Sequence, residues 1–249
     1  MLTEERFAQI LRIVNEEKSV TVQDLKERLH TSESTIRRDL TVLDQKKLLV
    51  KVHGGATVLE MDYTAKDIAV ASRMNQNTEE KKEIGKFAAD LIESDDFVYL
   101  DAGTTVSHML EYITSKDAVF VTNGISHAQM LTRKGFTVYL LGGMLKPATE
   151  AVIGLQAAES LERYHFTKGF FGTNGADRKF GYTTPAPAEA MIKETATKPC
   201  RKCYVLADST KIGHTAPVKF GNFSDAWLIT TNVKDKELKK EKNIIEVRK

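Results

Sequence analysis

The sequence predicts an α/β protein with two domains: an N-terminal winged helix-turn-helix and a larger C-terminal α/β domain. Two short helices followed by a hairpin signal predict the first domain. Strand-like and helical stretches that alternate from about residue 78 onward predict the second. A chain of 249 residues is long enough for both.

The overall net charge says little about function, but the distribution of charge along the chain is informative. The 36 basic and 34 acidic residues almost cancel, but residues 34–53 hold five basic and two acidic side chains, a local excess of +3. A general nucleic-acid binder would spread its positive charge, so we disfavour that function. The start lacks the basic and apolar regions of a signal peptide, and no apolar run approaches the ~18 residues that a membrane span needs. We therefore expect a cytoplasmic protein without a membrane partner.

The elements of the first domain follow from apolar spacing. Apolar residues at helical intervals predict three helices, at residues 3–17, 22–29 and 32–47. Ser32 can cap the third helix, because its hydroxyl can accept a first-turn N–H that has no helical partner. Residues 48–59 form two β-prone runs around Gly54-Gly55, which indicates a hairpin, the wing.

The third helix has an apolar back and a polar, cationic front. Ile36, Leu40 and Leu43 share the back. Arginine can bridge guanine O6 and N7 in the major groove, and Ser or Thr can meet bases or phosphates. These residues alone leave a surface helix with two solvated arginines as an alternative, which the neighbouring helix and wing disfavour. The predicted DNA contacts are Ser32, Ser34, Thr35, Arg37, Arg38, Lys51, His53 and Gly54.

Residues 58–77 are polar and aperiodic, so we divide the chain into a domain at 1–57, a linker at 58–77 and a second domain at 78–249. The second domain opens with a helix at 78–93. The predicted strands are 97–100, 118–122, 137–141, 168–172, 203–207, 227–231 and 244–247, and the predicted helices between them are 106–113, 126–133, 155–164 and 188–197. Such alternation predicts a mainly parallel sheet.

The first strand of this sheet leads into a candidate anion site. Asp101 follows the strand, and Gly103, Thr104 and Thr105 open the next helix. First-turn N–H groups, the helix dipole and two hydroxyls favour phosphate there. An ordinary strand–helix turn remains the alternative for these residues taken alone.

Other strand ends supply polar groups that can converge on the same rim. They are Asn123, the pair Gly142-Gly143, Asn174 and, after the strand at 203–207, Lys211. Glu189 and Lys193 lie four residues apart on a helix, a spacing that is typical of a solvated salt bridge. Cys200 and Cys203 form a lone C-x-x-C without the two further ligands of a zinc site, so we expect reduced thiols, no metal and no cofactor.

Two motif sets resemble one known family. The run S-E-S-T-I-R-R-D-L with V-H-G-G-A resembles the winged helix of the DeoR family of bacterial transcriptional repressors, across residues 1–57. The resemblance implies that the helix around Thr35, Arg37 and Arg38 enters the major groove.

Residues 78–249 resemble the sensor domain of the same family, which looks like the sugar-phosphate isomerase and deaminase fold. Similarity to that fold implies that Asp101, Gly103, Thr104 and Thr105 hold phosphate or a nearby hydroxyl. The implied sugar-lining residues are Asn123, Glu150, Asn174, Glu189 and Lys211. Motifs such as Y-L-D-A-G-T-T and G-Y-T-T-P-A-P-A-E-A look most like the fructose-operon repressor branch. Ala176-Asp177 departs from the expected apolar residue after Asn-Gly.

The leading hypothesis is a repressor of a sugar-utilisation operon, released from operator DNA by a phosphorylated sugar such as fructose 1-phosphate. The expected partners are double-stranded operator DNA, that effector and further copies of the chain in a dimer or tetramer. The rival is a sugar-phosphate isomerase or deaminase that uses Asp101, Asp177 and Glu189 as acid and base. A groove-reading helix argues against the rival, so we expect no catalytic residues.

Overall fold

The computed structural model describes residues 3–17, 19–45, 48–52, 54–58 and 70–248. The chain divides into two compact units, Met1–Met61 and Asp62–Lys249. Within the described residues, no helix combines the length and the apolar character that crossing a membrane requires.

The first unit contains the three predicted helices and the predicted hairpin. Its elements are α1 (Thr3–Glu17), β1 (Ser19–Thr21), α2 (Val22–Arg28), α3 (Glu33–Gln45), β2 (Leu49–Val52) and β3 (Gly55–Val58). Strand β1 is an addition to the prediction: it pairs antiparallel with β3, which also pairs with β2. Gly55 permits this pairing, because a Cβ there would lie 2.1 Å from the Val20 carbonyl oxygen.

The core of the first unit confirms the apolar back of α3. Ile36, Leu40 and Leu43 are fully buried. Asp39 on the same helix is also buried, and it forms an ion pair with Arg6 of α1, with 3.1 Å between Nη2 and Oδ1. The two helices are therefore joined by a charge pair as well as by apolar packing.

The second unit contains a seven-stranded parallel sheet within residues 70–248. Its elements are α4 (Val70–Met74), α5 (Thr78–Ala89), β4 (Phe97–Leu100), α6 (Thr104–Leu110), β5 (Val119–Thr122), α7 (Ile125–Arg133), β6 (Thr137–Leu140), β7 (Met144–Lys146), β8 (Ala151–Ile153), α8 (Leu155–Leu161), β9 (Phe166–Gly172), β10 (Gly175–Asp177), β11 (Gly181–Thr184), α9 (Pro187–Thr197), β12 (Cys200–Leu206), β13 (Val218–Gly221), β14 (Trp227–Thr230) and β15 (Ile244–Glu246). The sheet order is β15-β14-β12-β9-β4-β5-β6, with every pair parallel. This confirms the predicted α/β class.

Side chains of the sheet alternate between two cores. Val98 and Leu100 of β4 pack with α5, α6 and α7 on one face, whereas Tyr99 packs with α8 and α9 on the other. Burial on both faces explains why the strands read as continuous apolar runs rather than as an alternating pattern.

The strand order places a switch point between β4 and β9. From β4 the chain proceeds through β5 to β6 on one side, and from β9 through β12 and β14 to β15 on the other. Open α/β sheets bind ligands at the carboxyl ends of the strands that flank such a reversal. The loops after β4 and β9 are therefore the positions from which a site can be built.

The predicted linker differs from the structure over residues 70–77. These residues form α4 and its following turn within the second unit: the Val70 N–H donates to the Ala148 carbonyl at 3.0 Å, and His108 Nε2 lies 3.4 Å from the Met74 carbonyl oxygen. A helix of five residues is too short to produce a periodic pattern, so the sequence did not indicate it. Residues 59–69 lie outside the described part of the chain.

Candidate functional sites

The start of α3 presents a cluster of hydroxyl groups. Ser32 Oγ accepts the Thr35 N–H at 3.2 Å, as expected for the helix cap, and lies 2.9 Å from Ser34 Oγ and 2.7 Å from Thr35 Oγ1. Ser32 and Ser34 are exposed. This end of the helix can therefore offer hydroxyls to a base edge or a phosphate.

Both arginines of α3 are exposed. Arg37 pairs with Glu33 one turn earlier, at 2.7 Å between Nη2 and Oε1, and about half of each side chain faces solvent. An exposed pair at this spacing contributes only about 0.3–0.5 kcal/mol, so DNA can replace it readily. Arg38 is exposed on the same helix.

Two of the predicted DNA contacts in the wing, Lys51 and Gly54, lie in different parts of the hairpin. Lys51 on β2 is directed toward α3, where its Nζ donates to Thr41 Oγ1 at 2.7 Å and its N–H donates to Asp44 Oδ1 at 3.1 Å. Gly54 forms the exposed hairpin turn with a φ of 86°, a conformation that favours glycine. His53 lies outside the described residues.

In the second unit, residues at the carboxyl ends of the strands line a cavity. The lining residues that the sequence predicted are Asp101, Gly103, Thr104, Thr105, Asn123, Asn174, Glu189 and Lys211. The other lining side chains with polar groups are Arg73, Gln76, Lys81, Thr149, Thr173, Lys193 and Asp208.

Asp101 and Lys193 form a buried ion pair at the base of the cavity. The Asp101 carboxylate accepts from Lys193 Nζ and from the Gly172 N–H, the latter at 2.9 Å. Lys193 also donates to the Gly172 carbonyl at 3.0 Å. This pair joins the ends of β4 and β9 to the middle of α9, so Asp101 serves first to hold these elements together.

The predicted phosphate loop is buried and tightly packed. Thr104 and Thr105 begin α6 and are each 7% exposed. A Cβ on Gly103 would lie 3.3 Å from Gly172 Cα, so the two glycines allow the loops after β4 and β9 to approach closely. Their contact narrows the floor of the cavity.

The Asn123 amide holds backbone groups at the rim. Its Oδ1 accepts the Ala102 N–H at 2.9 Å, and its Nδ2 donates to the Val152 carbonyl at 3.3 Å. Asn123 thus lines the cavity and fixes the loop after β4. Asn174 Oδ1 accepts from Thr184 Oγ1 at 3.2 Å, which similarly orients that amide.

Glu189, in the first turn of α9, also lines the cavity. Its Oε1 accepts from Lys146 Nζ at 3.1 Å and from Thr149 Oγ1 at 2.8 Å, and its Oε2 accepts from Thr184 Oγ1 at 3.3 Å. Burial disfavours the charged form, but Lys193, Thr149 and Lys146 together hold the pKa of Glu189 below its ordinary value. Glu189 is therefore an ionised acceptor.

Cationic side chains gather where α4 and α5 meet the cavity. Lys81 is 3% exposed, and burial lowers its pKa to about 8 against the opposing effect of Asp208, with Lys211 and Arg73 adding like-charge repulsion. Lys211 Nζ donates to Thr210 Oγ1 at 2.9 Å and lies 3.7 Å from Asp208 Oδ2. Three cations around one carboxylate make this wall suited to an anion.

Comparison with known proteins identifies the family. The DeoR-like helix-turn-helix domain matches residues 6–62, and the DeoR C terminal sensor domain matches residues 76–233. The chain belongs to the DeoR family of transcriptional regulators. It is 41% identical over 94% of its length to the uncharacterized HTH-type transcriptional regulator FruR of Bacillus subtilis, of which the alignment covers 93%.

Other relatives of this DeoR-family protein carry a repressor name. The lactose phosphotransferase system repressor of Staphylococcus epidermidis is 34% identical, with 96% of this chain and 95% of the relative covered. That of Streptococcus mutans is 33% identical over 94% of each chain. Among solved structures, ribose 5-phosphate isomerase A of Methanocaldococcus jannaschii shares 12% identity over 55% of each chain with a TM-score of 0.40, a likeness too distant to bear on function.

Three predicted effector residues of this DeoR-family protein do not line the cavity. Gly142 and Gly143 follow β6, which lies two strands from β4 and hence about 10 Å to the side. Glu150 is exposed and adopts a φ of 52°, and its neighbour Thr149 faces the cavity instead. Contact between these three residues and the effector therefore stays a prediction that the lining of this cavity does not support.

The interpretation of Glu189 and Lys193 as a solvated salt bridge is also wrong. Lys193 pairs with Asp101 across the sheet, and Glu189 pairs with Lys146. One signal was present in the sequence: Lys193 lies three residues from Ala190 and from Ala196, on the buried stripe of α9. Lys81 similarly shares the buried stripe of α5 with Ile84.

Asp177, Cys200 and Cys203, which the sequence also singled out, do not line the cavity. Asp177 Oδ1 accepts the N–H groups of Lys179 and Phe180 at 2.8 and 2.9 Å in a turn after β10, and Asp177 does not line the cavity. Cys200 and Cys203 are free thiols on β12. Across the described residues, no cluster of three or more His, Cys, Asp or Glu side chains is arranged to hold a metal ion.

Proposed function

We propose that this DeoR-family regulator is a repressor of a sugar-utilisation operon, and that a phosphorylated sugar in the cavity of the second unit releases it from operator DNA. The observation that carries the proposal is a cavity at a sheet switch point that is lined by the cations Lys81 and Lys211 and by the ionised Glu189 carboxylate. A phosphorylated polyol has matching ends: a dianion and several hydroxyls.

The two ends of the ligand have different partners in this proposal. Phosphate binds between the loop of Gly103, Thr104 and Thr105 and the cations Lys81 and Lys211. The sugar hydroxyls donate to the Glu189 carboxylate, whose lowered pKa keeps it an acceptor at neutral pH. Phosphate is therefore expected to dominate affinity and the hydroxyls to set selectivity.

We propose fructose 1-phosphate as the effector. The motifs that resemble the fructose-operon repressor branch support a ketose, and the relatives named as lactose phosphotransferase system repressors support a sugar-related operon. The DNA is a pair of operator half-sites, each read by Arg37 and Arg38 of one copy in a dimer or tetramer.

A non-enzymatic role fits the hydrogen bonding of the carboxylates. Asp101 is paired with Lys193, and Glu189 accepts from Lys146 and two threonines. A general base is most effective when its pKa lies near the working pH, and the pKa of Glu189 is held below its ordinary value. The relatives named above are regulators or repressors, which supports the same conclusion.

The test is an operator-release titration. The full chain first selects its operator from a randomised DNA duplex, and the complex is then titrated with fructose 1-phosphate, fructose 6-phosphate, tagatose 6-phosphate and free fructose. We expect release by fructose 1-phosphate at the lowest concentration and none by fructose. Equal release by every phosphate would remove the assignment of fructose 1-phosphate, and release by fructose would remove the phosphate site.

A further inference from the structure

The cavity is bordered by a short helix that leads directly into the segment joining the two units. Helix α4 begins at Val70, and residues 59–69 precede it in the chain. Arg73 of α4 and Gln76 of the turn after it line the cavity. We infer that a ligand in this cavity acts on the DNA-binding unit by holding α4 against the second unit; the inference rests on the proposed function.

Helix α4 is weakly held by comparison with the rest of the unit. It has five residues, and none of its described side chains is buried. Its hydrogen bonds to the rest of the unit include three of its backbone groups: the Val70 N–H donates to Ala148, the Met74 carbonyl lies beside His108 Nε2, and the Arg73 carbonyl accepts from Lys81 Nζ. So short a helix is not stable alone, and segments with few buried contacts open at low free-energy cost.

Helix α5, which follows, is firmly anchored. Glu80 in its first turn accepts the Ser209 N–H at 2.8 Å, Ser209 Oγ at 2.9 Å and Thr231 Oγ1 at 2.7 Å. Asn77 lies between the two helices with a φ of 51°. Motion of α4 is therefore concentrated before Asn77, while Lys81 and the wall of the cavity stay in place.

This arrangement gives the ligand a different affinity for the two positions of α4. When α4 is docked, an anionic sugar can contact Arg73 and Gln76 in addition to Lys81 and the loop at Gly103. When α4 is detached, the first two contacts are lost. A ligand shifts such an equilibrium by its difference in affinity for the two states, so occupancy favours the docked helix.

The experiment changes the stability of α4 without touching the cavity. Ser72 is exposed in the middle of α4 and does not line the cavity. Glycine and alanine differ by about 1 kcal/mol in helix propensity, equivalent to roughly fivefold in an equilibrium constant. We expect half-release of operator to need up to about fivefold more fructose 1-phosphate for Ser72→Gly than for Ser72→Ala, with the wild type between the two variants.

The matched control is Ser126, which is exposed on α7 and does not line the cavity. Neither Ser126→Gly nor Ser126→Ala is expected to change half-release. Amide exchange over residues 70–77 of the full chain should also slow when fructose 1-phosphate saturates the wild type.

The outcomes separate the inference from the proposed function. If the wild type is released but Ser72→Gly responds at the same concentration, or exchange over residues 70–77 is unchanged at saturation, the inference is wrong and the proposed function stands. If no sugar phosphate releases the wild type, both fail.

Discussion

Lys81 makes effector binding depend on pH in a window that the structure specifies. Burial lowers the pKa of Lys81 to about 8, so the side chain is largely charged at pH 7 and largely neutral at pH 9. A sugar phosphate has its second pKa near 6 and stays a dianion across this range. If binding requires charged Lys81, the ratio of dissociation constants at pH 9 and pH 7 is about (1 + 10)/(1 + 0.1), or roughly tenfold.

For the ligand-free protein, the ionisation of Lys81 affects stability in the opposite direction: raising the pH weakens ligand binding but stabilises the fold. The folded-state pKa lies below the ordinary value of 10.5, so charged Lys81 disfavours folding below about pH 8, and this penalty is relieved as pH rises from 8 toward 10.5. A bound dianion favours the charged form, so binding near pH 8 should be accompanied by proton uptake. Calorimetry in two buffers of different ionisation enthalpy measures that uptake.

Two variants isolate the group responsible. Lys81→Met keeps the length of the side chain and should abolish the tenfold change while weakening binding at pH 7. Lys86→Met, at an exposed position of the same helix, should retain it. A wild-type affinity that is equal at pH 7 and pH 9, or a pH dependence that persists in Lys81→Met, would refute the assignment of Lys81 as a ligand partner.

The remaining predictions concern DNA binding, stability and turnover. Arg37→Ala should weaken operator binding by about 1–3 kcal/mol in a mobility-shift assay if it makes a bidentate base contact, and wild-type affinity would contradict that. Lys51→Ala should weaken all DNA sequences alike and reduce the slope of log affinity against log salt by about one. Asp39→Asn leaves Arg6 without its buried carboxylate partner. It should lower the thermal unfolding temperature and reduce the free energy of unfolding by about 3–5 kcal/mol, and a reduction below about 1 kcal/mol, as for an exposed pair, would contradict this prediction. No turnover of common hexose or pentose phosphates is expected under binding conditions, and conversion that disappears in Glu189→Gln would establish an enzyme.

Local pattern was enough to predict much of the fold. The apolar stripe of Ile36, Leu40 and Leu43 and the Gly54-Gly55 turn determined the winged helix, because helix periodicity and turn chemistry are properties of neighbouring residues. The apolar runs at β4, β5 and β9 likewise determined a parallel sheet. Strand β1 and helix α4 escaped prediction because three to five residues carry no measurable period.

Pattern also located the loop at Asp101, Gly103, Thr104 and Thr105 at one end of the sheet, since residues that follow parallel strands share an edge. The local pattern could not predict how far the end of each strand lies from the cavity. The order β9-β4-β5-β6 brings Asn174 and Asn123 to the cavity and leaves Gly142 about 10 Å to the side, and this order is a long-range pairing that no local segment encodes.

The charges around the ligand were decided by tertiary structure alone. Asp101 and Lys193 are 92 residues apart in sequence and in direct contact, whereas the Glu189–Lys193 spacing suggested a pair that the fold does not make. Burial lowers the pKa of Lys81, and Lys211 adds to that effect, whereas Asp208 opposes it, and both neighbours are distant from Lys81 in sequence. The sequence determined which chemical groups are present and on which elements they lie; the packing of those elements determined which groups meet and how they ionise, because desolvation and charge proximity depend on distance in space.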